Sequence, residues 1–224
     1  MTTASRVICQ AHRDQVQAAV AAAEARTSCE IVPVVASASG RYDRAEDLVG
    51  LWLAVIGGVA VFLNLPGPGP VGSWNESSHG LQALFLAGTM VLCFTAGALL
   101  ADQFRTLRRL FTPQREMIEE VSRRARQLFY DRRVHHTAGA SGLLIYVSLY
   151  ERRAVVLGDR SVTEVLGESF LQGLCDRLTA GLAAADVASA ICDTIQHAVG
   201  PLENALPRAD GDVNELPDAL VVID

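Results

Sequence analysis

Lysine is missing from this chain: all 19 basic residues are arginine, which reads as a base-composition bias more than a functional requirement. Charged residues make up only 20% of the sequence and the formal net charge is -6, so no electrostatic footprint for nucleic acid is expected. The five cysteines (Cys9, Cys29, Cys93, Cys175, Cys192) have no paired spacing and no C-x-x-C, which excludes a disulfide framework and a zinc site of the usual kind. None is followed six residues later by arginine, which excludes a thiol-phosphatase loop. Reduced thiols in a cytoplasmic domain are the expectation.

The largest absence is local. Residues 48–65 (LVGLWLAVIGGVAVFLNL) and 81–101 (LQALFLAGTMVLCFTAGALLA) carry no charge at all. At ~1.5 Å per helical residue each run crosses or nearly crosses a hydrocarbon core of about 30 Å, and neither keeps the polar stripe that a water-facing helix needs. Two transmembrane helices are expected, about 48–65 and 81–101. A cleaved signal peptide is excluded by the run's position some fifty residues into structured-looking sequence. The linking segment has no arginine, whereas Arg41 and Arg44 precede the first run and Arg105, Arg108, Arg109 and Arg115 follow the second. The positive-inside rule then puts both termini in the cytoplasm of a multi-pass protein of the cell (inner) membrane. With no charged group inside either run, a proton relay or ion path has nothing to use. Ala54-x-x-x-Gly58 offers a small-residue face for pairing the two helices with each other.

What surrounds the hairpin reads as one α/β domain, residues 1–47 with 102–204, followed by an acidic tail over 205–224. Residues 5–26 repeat apolar positions at helical spacing, and Glu30–Ala36 reads as a strand in which Pro33 predicts an edge position or a bulge. Asp43 is placed to cap a helix that runs into the first span. Beyond the second span, Thr112 and Pro113 open an amphipathic helix over 113–130 with a basic outer face. Gly142–Ser148 and Arg153–Leu157 form a hairpin whose first strand, apolar on both faces, belongs in the middle of a covered sheet. A helix over 161–178, with Val162, Val165, Leu166, Phe170, Leu174 and Leu178 inward, and a last one over 184–200 complete the pattern.

The segments Thr27-Ser-Cys-Glu-Ile-Val-Pro-Val-Val35, Ser141-Gly-Leu-Leu-Ile-Tyr-Val-Ser148 and Glu151-Arg-Arg-Ala-Val-Val-Leu-Gly-Asp159 resemble the three strand motifs of the TPM domain (T-G-x-E-I, N-G-V-L-L, D-R-x-V-x-I-x-x-G). That family takes its name from a thylakoid lumen protein, a photosystem II repair factor and a modulator of acetylcholine receptors. The interrupting hairpin is similar to a bacterial membrane-bound branch of it. The sequence departs from the pattern at Ser28-Cys29, at Ser141 and at Asp159-Arg160. The resemblance implies a Rossmann-like α/β/α sandwich. It implies either a part in assembling membrane complexes, or a divalent-cation-dependent phosphatase or calcium-binding activity using carboxylates at one end of the sheet.

Asp159 with Glu164, joined by Asp43, is the candidate set for Ca²⁺ or Mg²⁺, since both prefer oxygen ligands; a turn residue and a solvated helix-start charge are the plainer readings. Other matches fail on context. Gly67-x-Gly69-x-x-Gly72 follows no strand and contains prolines; Asp210-x-Asp212-x-Asn214 has Glu215 where an EF-hand turn needs glycine; adjacent His135 and His136 point in different directions. With no complete catalytic constellation, the expected function is a membrane-anchored binding or assembly module. Its partners are the lipid bilayer and a protein bound through the basic helix or the acidic C-terminal third.

Overall fold

The computed structural model describes residues 3–40, 43–65, 79–103, 113–137, 139–209 and 214–224. The expected cap at Thr112, the linking segment over 66–78 with its glycine pattern, the flanking residues Arg41, Arg105, Arg108 and Arg109, and Asp210 and Asp212 lie outside them. The chain divides into two compact units, Met1–Gly40 with Arg115–Asp224, and Arg41–Gln114.

The first unit is mixed α/β. In chain order it holds α1 (Ala4–Val7), α2 (Gln10–Glu24), β1 (Glu30–Ala36), α5 (Gln114–Asp131), β2 (Gly142–Ser148), β3 (Arg153–Gly158), α6 (Arg160–Ala184), α7 (Val187–Ala205) and β4 (Val221–Ile223); α3 (Asp43–Asn64) and α4 (His79–Gln103) form the second unit. The four strands lie in the order β3-β2-β1-β4, with β1 parallel to β2 and β4, and β2 antiparallel to β3.

Every residue of β1 and β2 is buried, because the pleat sends alternate side chains into two different cores. Ile31, Val35, Leu143, Ile145 and Val147 pack against Val20 of α2, Leu174 and Leu178 of α6, and Ile191 and Ile195 of α7. Val32, Val34, Leu144 and Tyr146 face the other way, onto Val121, Ala125, Leu128 and Phe129 of α5. A strand covered on both sides has no solvated face to alternate toward, hence its continuous apolar run.

Several expectations need correction. The N-terminal helix breaks at Ile8-Cys9 into α1 and α2. Pro33 lies in no bulge, and its edge is only local, since β1 runs between β2 and β4. Ala36 O accepts from Leu149 N (3.0 Å) beyond β2, whereas Ser37 N donates to Ile223 O (2.8 Å) in β4. Odd-numbered residues of β1 therefore point their backbone groups toward β4, whose pairing begins only at Val34, so the missing N–H of Pro33 costs no ladder bond. Val165 is 57% exposed instead of inward. Gly167 (φ 79, ψ 165) interrupts α6 and puts the first turns out of phase with Leu174 and Leu178. The last helix runs Val187–Ala205, and residues 214–224 are no loose tail: their end is β4.

In the second unit α3 opens at Asp43 and continues without a break through Asn64, antiparallel partner to α4. Gly50, Ala54 and Gly58, one turn apart, make the inner stripe of α3. A Cβ on Gly97 would lie 2.8 Å from Gly50 Cα, so glycine is what permits that approach. The outer surface is the reverse of a soluble fold: Trp52, Ile56, Phe62, Leu63, Leu84, Phe85 and Leu92 are each at least 60% exposed. The few polar side chains return to their own helix, Thr89 Oγ1 to Phe85 O (2.9 Å), Thr95 Oγ1 to Leu92 O (3.0 Å) and Asn64 Nδ2 to Ala60 O (2.8 Å). Both helices are long and apolar enough to cross a membrane, over Asp47–Asn64 and Gly80–Ala101.

Candidate functional site

Parallel strands of an α/β sheet usually offer ligands the crevice at their carboxyl ends. Here that end holds Ser37, Ser39, Ser148, Glu151 and Asp224. Glu151 is only 3% exposed, and a buried carboxylate must be hydrogen-bonded to be tolerated. Ser39 N donates to its Oε1 (2.8 Å) and Ser148 Oγ to its Oε2. Ser39 Oγ also meets the Tyr146 hydroxyl at 2.8 Å, and burial raises that phenol above its ordinary pKa. On the β4 side Ser37 Oγ donates to Asp224 Oδ1 (2.8 Å) and accepts from Ala4 N (2.6 Å), while Ser5 N donates to Asp224 Oδ1 (3.1 Å). These bonds hold the Asp224 carboxyl below the usual range, the Ser37 hydroxyl first among them. The polar groups are spent on closing the fold: they tie the β2-β3 turn to the segment after β1, and α1 to β4.

At the amino end of β1 a second cluster surrounds a small cleft of about 80 Å³, lined by Glu24, Thr27, Glu30, Arg208, Asn214 and Asp218. Glu24 is 8% exposed and accepts from Ile31 N (2.8 Å) and Asn214 Nδ2 (3.3 Å). Asn214 also donates to Asp218. Glu30 accepts Glu215 N and Leu216 N, each at 3.2 Å, and Arg208 donates to Glu24 O (3.1 Å). Burial, aided by the charges of Glu30 and Asp218, pushes the Glu24 carboxyl up to about 8 against the lowering effect of the Ile31 N–H. At neutral pH Glu24 is therefore mostly protonated. The cleft is well below the size of a small-molecule pocket. What the carboxyls grip is residues 214–218, on their way to β4.

The residues expected from sequence to hold a cation sit elsewhere. Asp159 caps α6, its Oδ1 accepting from Arg160 N (2.7 Å), while its Oδ2 is buried with no partner among the described residues. Glu164 is exposed and engaged by Arg160 Nε at 2.7 Å. Asp43 opens α3 in the other unit. Among the described residues no group of three or more His, Cys, Asp or Glu is gathered as a metal-ligand set. Glu24, Glu30 and Glu151 belong to no catalytic or metal-binding motif in the sequence. The one available signal was a carboxylate inside or beside an otherwise apolar strand.

No family model matches the chain, and no curated protein matches it. Its structure is similar to the NMR structure of the BA42 protein from the psychrophilic bacterium Bizionia argentinensis, with a TM-score of 0.56 and 14% identity over 99% of each chain. At that identity the likeness speaks to the fold alone.

Proposed function

We propose that the protein is a membrane-tethered α/β binding or assembly module of the TPM type, its layered sheet Rossmann-like, its hairpin crossing the membrane twice and both termini cytoplasmic. The observation that carries this reading is the outer surface of α3 and α4. It is apolar along its length, and only 17% and 6% of the two candidate spans is buried within the chain. In water such a surface drives aggregation; in lipid it is the stable arrangement. The carboxylates of the clusters at both ends of the sheet, Glu24, Glu30 and Glu151, are engaged in holding segments of the fold together.

Membrane fractionation tests the tether. After an alkaline carbonate wash the chain is expected to stay in the membrane pellet, and an epitope after Asp224 to be digested by protease only in inverted vesicles. Release into the supernatant overturns the tether; digestion in right-side-out vesicles overturns the orientation. A divalent-cation-dependent phosphatase is the second reading, favoured by the unpartnered buried oxygen of Asp159.

A further inference from the structure

Among the described residues of the α/β unit the exposed apolar side chains are few, and two of the three large ones belong to α5: Ile118 (43%), Tyr130 (63%) and, elsewhere, Val165. Tyr130 stands among cations. Arg126, Arg132 and Arg133 surround it in sequence and are exposed, with no ion pair among the described residues. Asp131 is the one carboxylate in the stretch 121–136. Two other arginines of this stretch are already committed, Arg123 to Glu120 and Arg124 to Gln127 (2.9 Å). The Tyr130 ring lies 4.8 Å from that of His135, and His135 lies 6.2 Å from His136, so an aromatic platform continues past the helix end.

The backbone there is unusual. Val134 N donates to Phe129 O and Arg133 N to Tyr130 O, both at 3.0 Å, the bonding of a helix end that turns through a left-handed residue. That residue is ordinarily glycine; here it is Arg133, at φ 56. A side chain in this strained position keeps a guanidinium at the exposed helix end, where glycine would leave none. Val134 beneath it is fully buried, which fixes the turn.

We propose that this patch, Arg126, Tyr130, Arg132, Arg133, His135 and His136, docks on the anionic lipid headgroups of the membrane in which the hairpin is anchored. The inference rests on the tether reading. Guanidinium groups bind phosphate oxygens in a bidentate manner, and a tyrosine beside them supplies the amphipathic ring favoured at a bilayer interface. The anchor brings the membrane surface to the patch at high effective concentration, so weak individual contacts suffice. Only ten residues, 104–113, join α4 to α5, and they add three further arginines in sequence.

The test uses the full chain in nanodiscs of zwitterionic lipid alone or with about a third phosphatidylglycerol, with arginine modification by phenylglyoxal followed by mass spectrometry. Arg126, Arg132 and Arg133 are expected to react at least about fivefold more slowly in the anionic discs and to regain their rate in high salt, where surface charges are screened. Arg13 of α2 and Arg177 of α6, on helices of the opposite sheet face, serve as internal standards. In the exposed double variant Arg126→Glu, Arg132→Glu, protection of Arg133 is expected to vanish. Equal rates in the two discs, with the chain inserted, overturn the proposal. Protection in native membranes but not in anionic discs also overturns it, in favour of an acidic protein partner. A chain that fails to insert sinks the tether reading instead.

Discussion

Glu24 shows how one buried carboxyl ties stability to pH. Its native pKa of about 8 lies above the ordinary 4.5, so the folded chain keeps a proton that the unfolded chain releases. The stabilisation that Glu24 contributes is full below pH 4.5, declines as pH rises from there to about 8, and is lost above that. Glu24→Gln mimics the protonated form. Thermal unfolding in detergent is expected to be near wild type at pH 5 and clearly more stable than wild type at pH 9; identical pH profiles would show that Glu24 carries no such load. This residue was hidden in the sequence for a physical reason. Glu24 and Asn214 meet across 190 positions, and no local period reports such a pair. Asp159 and Glu164 drew attention by being close in sequence, yet Arg160 stands between them and takes Glu164.

At the scale of elements, the strands and the two long apolar helices were legible because their periods are local. The continuous apolar run 142–148 gave a central strand, and the uncharged runs gave two long helices. Features that depend on partners were not. β4 has only three residues, and it becomes a strand through pairing with Val34–Ala36. Gly167 reveals its break only in φ and ψ. The helical hairpin makes its own prediction. Gly97→Leu puts a side chain into the backbone of α3, whereas Gly88→Leu adds one where nothing lies within 4 Å. Thermal aggregation in detergent should therefore shift to markedly lower temperature for the first and stay close to wild type for the second. Similar losses for both would mean that α3 and α4 do not pack through Gly50 and Gly97.

On the scale of the whole molecule, the division into two units predicts that the α/β unit survives alone. Replacing residues 41–114 by a flexible linker is expected to yield a soluble chain with mixed α/β circular dichroism and cooperative unfolding; an unfolded product would refute the division. The same chain separates the two functional readings. Phosphate release that needs Mg²⁺ or Ca²⁺ and is lost on Asp159→Asn would favour the phosphatase, and its absence across phosphomonoesters the module.

The pairing of β1 with β2 also has a consequence in time. Glu30 meets Gly142 in the sheet, and everything between them, including both apolar helices, is synthesised first. From the moment it emerges, β1 is a strand apolar at every position after Glu30 and open at both edges, the kind of segment that invites aggregation. It stays so until the chain has gone on through both apolar helices to β2. Synthesis of the two apolar helices thus precedes the earliest moment at which β1 can pair with β2, and a chain stalled there is also a stalled fold.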